Sequence, residues 1–349
     1  MKPNYNYISK YRSQLMGISI ISIIILHYFQ DTFGLLTINL LLKKLSHAYN
    51  AMISSVGVDI FLIVSAVGLY FSYSKNSDFK LYAKRRLCKV AIPYVVLGSI
   101  YWFVFDIIIQ KGTVIQFFKD LLWVTFFENG DTTYWYIFAI LLFYLIFPIL
   151  NKIINKSKNG TRNMIFLISL DIIFNISLAF CNNGLYKNIE IFLLRVPIFT
   201  CGVWLAKKVY EKKEINKKLI FINSIFFIII EIILICCTKF SINYFLYFKR
   251  YLISILAINI VILLPLILEC INNKLLNSSL DYIGKYTLEL YIFHIGYRNI
   301  FKKCNLPTSN IKYEIMMIII TIISSFIFNK ICGIFQNKIF DKNYKIKNN

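Results

Sequence analysis

Apolar residues along this chain fall into blocks of about 20, the helix length that crosses a bilayer's hydrocarbon core. Short stretches carrying most of the 39 Lys and Arg separate them. Ten apolar segments can be drawn, at about 14–30, 51–73, 90–109, 134–150, 163–180, 189–206, 219–237, 250–268, 283–300 and 313–335. The fourth, fifth and ninth are short or interrupted by polar residues, which leaves counts of nine or eleven open. No internal repeat of the kind that marks many transporters is visible, and no Pro/Gly/Ser-rich linker divides the chain. The pattern predicts an all-α integral membrane protein. It is expected to be a bundle of about ten transmembrane helices forming one domain over residues 1–335, with a polar, basic cytoplasmic tail at 336–349 whose end, KNYKIKNN, is too polar to pack.

Composition agrees. The 349 residues are 58% hydrophobic and only 16% charged, where a soluble domain carries about 25% charged residues. The net charge of +22 does not point to nucleic acid, because the cations lie between apolar blocks rather than on a basic domain with interleaved aromatics. Placing the N-terminus in the cytoplasm collects Lys2, Lys10 and Arg12, the 75–89 and 152–162 stretches, the 207–218 stretch and the tail on one side. That is the positive-inside pattern, and it predicts that both termini are cytoplasmic. The eight Cys form neither a CxxC pair nor a Cys/His metal spacing, so no disulfide framework and no metal site are expected.

The first apolar run, QLMGISIISIIILHY, ends in His27. A histidine in an apolar helix is retained where a cavity, a partner or chemistry needs it. On a helix rising 1.5 Å per residue it lies about 20 Å along from Arg12. An imidazole withheld from water is expected to be neutral, as a general base or an acyl-accepting nucleophile requires. The ordinary alternative is a structural histidine bonded to a neighbouring helix. In the second segment, Asp59 reads either as an interfacial carboxylate or as one that orients a histidine. Ser65, Ala66 and Gly68 offer a small face for close helix contact. Beyond it, Arg85, Arg86 and Lys89 have near-helical spacing at a cytoplasmic mouth. They read as a positive anchor or as a clamp for phosphates such as those of coenzyme A.

These pieces together resemble the membrane-bound acyltransferase family 3, the O-acetyltransferases of bacterial surface polysaccharides. The resemblance rests on LMGISIISIIILH, GVDIFLIVSAVGLYFS, YAKRRLCKVAIPY, YWYIFAILLFYLIFPIL, LRVPIFTCGVWLAKK and IGKYTLELYIFHI, in that order over nearly the whole chain. It implies a ten-helix bundle in a bacterial plasma membrane. Acetyl from cytoplasmic acetyl-CoA would pass to a hydroxyl of a cell-surface or lipid-linked glycan, without a metal. It also implies His27 as the essential histidine, deprotonating the acceptor or carrying the acetyl group, and Arg85, Arg86 and Lys89 as the acyl-CoA motif. His294 matches a family motif as a second catalytic or packing residue. Two positions depart from the family pattern. Met16 stands where a basic residue precedes the histidine by eleven positions, with Arg12 one turn earlier, and Ser65-Ala66 replaces Ser-Gly.

Other polar residues in apolar runs are cavity candidates. Arg195 needs a partner or a wet cavity, with Asp59 or Glu231 as its expected partner or a substrate phosphate as its ligand. Tyr134, Trp135 and Tyr136 read as an interfacial aromatic belt, with Trp135 stacking on a sugar ring as the alternative. The 110–133 connection before them reads as a lid or acceptor contact. Asp106 and Asp171 read as solvated helix ends. In the ninth segment Glu289, Tyr291 and His294 contribute to a polar interior, Glu289 and His294 on different faces. His47 reads as an ordinary loop residue. Three rival readings are a flippase for lipid-linked sugars, a glycan polymerase or ligase, and the same fold with another donor such as succinyl-CoA.

Overall fold

The computed structural model describes the backbone of residues 3–32, 56–239 and 245–345, and side chains of 3–32, 56–236 and 249–331. His47 and residues 346–349 lie outside the described residues. The helices are α1 (Asn6–Lys10), α2 (Arg12–Thr32), α3 (Val56–Lys75), α4 (Phe79–Trp102), α5 (Val114–Leu121), α6 (Val124–Asn129), α7 (Trp135–Asn155) and α8 (Gly160–Cys181). They continue as α9 (Asn183–Leu193), α10 (Val196–Tyr210), α11 (Lys217–Lys239), α12 (Phe245–Ile271), α13 (Lys274–Lys285), α14 (Thr287–Lys303) and α15 (Ile311–Lys345). Among the described residues, nine helical spans are long and apolar enough to cross a membrane. The predicted ninth segment corresponds to α14, whose 17 residues are fewer and more polar than those of the nine. The helix of α15 continues through Lys345, past the boundary expected near 335.

The bundle is built round α3. Every residue from Val56 to Leu69 is buried, as expected for a helix apolar on all sides. Its small face works as the sequence suggests. A side chain on Gly202 of α10 would come within 2.9 Å of the Ile63 Cα and 3.0 Å of the Ala66 Cβ. By contrast α8 and α11 present Phe166, Ile173, Phe174, Phe221 and Phe226 outward. Exposed apolar faces of this kind suit contact with lipid tails.

Two backbone approaches fix the end of the bundle where α2 begins. Side chains on Gly17 of α2 and Gly284 of α13 would run into the carbonyls of Leu280 and Ser13, so α13 lies directly on α2. Ser13 Oγ also donates to the Asp281 carbonyl at 3.0 Å. Much of α13 is too polar to span, with Leu275 and Tyr282 exposed.

Four expectations change. The sixth segment is broken: α9 ends at Leu193, Arg195 caps α10, and Pro197 sits in its first turn, where the missing N–H costs nothing. The 110–133 connection is folded into α5 and α6. Tyr134, Trp135 and Tyr136 are not an interfacial belt but are buried, 2%, 7% and 8% exposed: Trp123 of that connection donates through Nε1 to the Tyr134 carbonyl at 3.1 Å, while Trp135 packs against Arg195 and Tyr136 against Phe61 and Tyr291. Asp106 is likewise buried rather than solvated. It lies in a π-helical turn, Phe103–Ile109, that continues α4 and brings it beside Asp120.

Candidate active site

The two intramembrane histidines meet. His294 Nε2 lies 3.1 Å from His27 Nδ1, with the rings nearly parallel at 5° and their centroids 5.2 Å apart. His294 is fully buried. The hydrogen bond occupies Nδ1 of His27 and leaves its Nε2 as the nitrogen available to a reactant. When His27 Nδ1–H donates to His294, Nε2 of His27 holds a free lone pair, the arrangement a general base needs.

A second rung reinforces this pair. Asp31 and Arg298 each follow their histidine by four residues, one helical turn. Arg298 donates to both Asp31 oxygens, Nε at 2.9 Å and Nη2 at 2.5 Å. Lys302 Nζ and Thr308 Oγ1 donate to the same carboxylate at 2.5 and 2.6 Å. Helix α14 is held from its other sides too. Tyr134 OH donates to the Ile292 carbonyl at 3.2 Å, Tyr297 and Ser324 hydroxyls lie 2.9 Å apart, and Asn299 Nδ2 donates to Tyr101 OH at 3.2 Å. The imidazole pair is therefore positioned by packed helices rather than by loops.

Toward the N-terminal end of α2 lies a cavity of about 640 Å³. Its walls carry the cations Lys10, Arg12, Arg86, Lys89 and Lys285, opposed by Glu289. Arg86 Nη2 donates to the Gly68 carbonyl at 3.1 Å, and Asn329 Nδ2 donates to Glu289 at 2.7 Å. Hydrogen bonds from Lys10 to Glu269 and from Lys285 to Asp281 hold both ammonium groups above their ordinary range. Deeper in, Ser65, Tyr136 and Tyr291 line the same space, the two tyrosine rings edge to face at 5.4 Å. Tyr291 precedes His294 by three residues, so the inner end of this cavity approaches the histidine pair. Met16 lines the wall and Arg12 supplies a guanidinium to the same cavity.

A second cavity, about 530 Å³, lies at the opposite end of α2 and α14, with Asp31 in its wall. The histidine pair thus stands between a basic cavity and a smaller polar one.

The remaining candidates separate. Arg85 is exposed and outside the basic cavity's wall, unlike Arg86 and Lys89. Asp59 is engaged by Arg195, Nε to Oδ1 at 2.7 Å, with both side chains at most 1% exposed. Ser254 Oγ donates to its other oxygen at 3.3 Å. The partner of His27 is thus His294, while the fully buried Asp59 pairs with the Arg195 guanidinium. Trp135 lies 5.7 Å beneath Arg195 as a cation–π partner, not on a cavity wall. Glu289 and His294 occupy different faces, one toward the basic cavity and the other toward His27. Asp31, Arg298 and Asn329 were not singled out from the sequence, whereas Arg12 stood out there as the guanidinium one turn before Met16. Asp31 and Arg298 left one trace there, the equal four-residue step after each histidine. Among the described residues no cluster of three or more His, Cys, Asp or Glu has an arrangement that could hold a metal.

A family model described as an acyltransferase domain matches residues 15–330. No curated protein and no solved structure matches the chain.

Proposed function

The chain belongs to the acyltransferase domain family, and from that premise we propose that it moves an acetyl group from cytoplasmic acetyl-CoA to a hydroxyl of a cell-surface or lipid-linked glycan. The observation that carries this reading is the basic cavity leading toward the histidine pair. Arg12, Arg86 and Lys89, flanked by Lys10 and Lys285 already paired to Glu269 and Asp281, suit the 3′-phosphate and pyrophosphate of coenzyme A. Ser65, Tyr136 and Tyr291 in the same wall offer the mixed polar and apolar surface that a pantetheine arm requires. From Met16 to His27 the helix rises about 16 Å, a distance on the scale of a pantetheine chain.

In this mechanism the acceptor hydroxyl oxygen bonds to the acetyl carbonyl carbon as the thioester C–S bond breaks. Nε2 of His27 takes the hydroxyl proton, and the coenzyme A thiolate leaves and is protonated. His294 orients the ring through Nδ1 and shares the charge that forms on it, the task a carboxylate performs in a hydrolase triad. The bias of Lys and Arg toward one set of loops supports a cytoplasmic basic mouth, the side where acetyl-CoA is made.

The experiment supplies labelled acetyl-CoA to purified protein in liposomes and compares wild type with His27→Ala. Consumption of acetyl-CoA by wild type alone supports the reading. Failure of wild type to bind or consume acetyl-CoA, with lipid-linked sugar crossing the membrane instead, overturns it in favour of a flippase.

A further inference from the structure

The basic cavity stops short of the histidines. Neither His27 nor His294 lies in its wall, although a general base must come within about 2.6–3.2 Å of the proton it takes. Three helices show what closes the inner end. On α14 the wall runs through Glu289 to Tyr291, and His294 follows three residues or about 4.5 Å further on. On α3 a side chain at Gly68 would touch Arg12, and one at Gly57 would touch Ile23. Lower numbers on α3 therefore lie toward His27, and the last wall residue in that direction is Phe61. On α7 it is Tyr136, in the first turn. All three side chains are buried, and their rings touch in a row. The centroids of Phe61 and Tyr136 lie 5.8 Å apart, and those of Tyr136 and Tyr291 5.4 Å apart.

Light contacts hold this aromatic floor. The Tyr136 and Ser65 hydroxyls hydrogen-bond each other. The Tyr291 hydroxyl hydrogen-bonds the backbone of Tyr136, in a first turn whose N–H groups have no partner within the helix. Both bonds link neutral groups, and both break when a ring turns about its own side-chain torsions, with no helix displaced. The floor borders the open cavity, so the rings have space to turn into. At the mouth the cations Arg12, Arg86 and Lys89 offer charge-assisted contacts, which are stronger than neutral ones. Binding energy from such a remote part of a ligand can drive a displacement near the reacting centre.

We propose that Phe61, Tyr136 and Tyr291 form a gate between the donor cavity and the histidine pair, closed in the free protein and opened by the arm of a seated donor. This rests on the acyl-transfer reading, because the gate has a purpose only where a thioester must reach His27. While closed, it keeps water of the basic mouth away from the pair. When the nucleotide is bound, the arm displaces the rings and itself fills the opening. Removing a ring leaves an opening wider than the arm, and water enters beside it. The water oxygen then bonds to the acetyl carbonyl carbon as the C–S bond breaks. Nε2 of His27 takes the proton of the water, and the coenzyme A thiolate leaves and is protonated. The products are acetate and coenzyme A, with no glycan consumed.

The test measures acetate release from acetyl-CoA by the purified full chain in detergent, with no acceptor present. Coenzyme A binding to the same preparations is read by calorimetry. Tyr291→Ala is expected to release acetate about ten-fold or more faster than wild type, through lost exclusion of water. Tyr291→Phe keeps the ring and loses its hydroxyl, so its rise is expected to be smaller. Ser65→Ala frees Tyr136 without removing a ring, and a rise there supports the gate even where Tyr291→Ala fails to fold. Adding His27→Gln to Tyr291→Ala is expected to abolish the rise. S-acetylpantetheine, which lacks the nucleotide, should gain more from Tyr291→Ala than acetyl-CoA does, because an open gate needs no phosphate binding to displace it. The gate is overturned if folded variants bind coenzyme A and release acetate at the wild-type rate, if the rise survives His27→Gln, or if both donors gain equally. Absence of coenzyme A binding to wild type instead overturns the donor reading itself, and the gate with it.

Discussion

The guanidinium of Arg12 lies against Gly68, so close that a Cβ there would stand 2.5 Å from Nη2 and 2.6 Å from Cζ. The absence of a side chain at Gly68 is what lets Arg12 reach the basic cavity from the first turn of α2. Gly68→Ala is therefore expected to displace the guanidinium. The loss of one charge-assisted phosphate contact raises the KM for acetyl-CoA about ten-fold and leaves kcat within about three-fold. Steady-state kinetics with acetyl-CoA varied separates the two. An unchanged KM would mean that Arg12 does not touch the donor.

The histidine pair predicts unequal losses. His27→Gln removes the proton acceptor and is expected to lower kcat by about 10²–10⁴-fold. His294→Gln leaves the base in place and removes its partner, so a smaller loss is expected. The double variant should be no slower than His27→Gln alone, because groups acting as a unit are not additive. Additive losses in single-turnover measurements would contradict the coupling.

Asp31→Asn keeps the shape of the rung beneath the pair and removes its charge, leaving Arg298 and Lys302 without their carboxylate. Breaking such a partly buried pair is expected to cost about 3–5 kcal/mol, lowering the thermal midpoint and kcat together. Asp31→Glu should recover part of both. A variant with full stability and lost activity would instead give Asp31 a direct catalytic role.

Deep in the bundle, the Asp59–Arg195 pair predicts a stability effect distinct from chemistry. Asp59→Asn leaves a buried guanidinium uncompensated, at a cost of about 3–5 kcal/mol. Replacing both, Asp59→Leu with Arg195→Met, should restore part of the stability, because an apolar pair needs no desolvation, while the buried Arg250 keeps Glu190 but loses Asp59 as a counter-charge. Thermal unfolding in detergent reads both. No recovery in the double variant would point to a ligand of Arg195 rather than a fold-only role.

The membrane spans were legible because lipid demands about 20 apolar residues per crossing, and few sequences meet that by accident. The break at Arg195 was less visible. The signal was Arg-Val-Pro inside an apolar run, but hydropathy averages over a single cation. Tyr134 to Tyr136 were misread because aromatics at a segment end usually meet the interface, and nothing local shows that residues 110–133 fold over them. His27 and His294 could each be singled out, yet their meeting joins residues 267 positions apart. Helical periodicity defines the face of a helix and not the neighbour that the face meets. Arg12 could be named as the guanidinium one turn before Met16, but not its reach into the cavity. Reach depends on the close approach at Gly68, which spacing alone does not contain.

The clasp of α13 on α2 through Gly17 and Gly284 also orders events during synthesis. Lys10 and Arg12 leave the ribosome early, while Lys285, Glu289 and Asn329 emerge near the end, yet all face one cavity. Until the α13 segment is released, the first helix has no backbone groove to receive, and the basic pocket has only part of its wall. Domains tend to fold as units from the N-terminus as the chain is made, but this site closes only with the last helices. A nascent chain therefore sits in the membrane with this cavity open on one side until Lys285, Glu289 and Asn329 are in place.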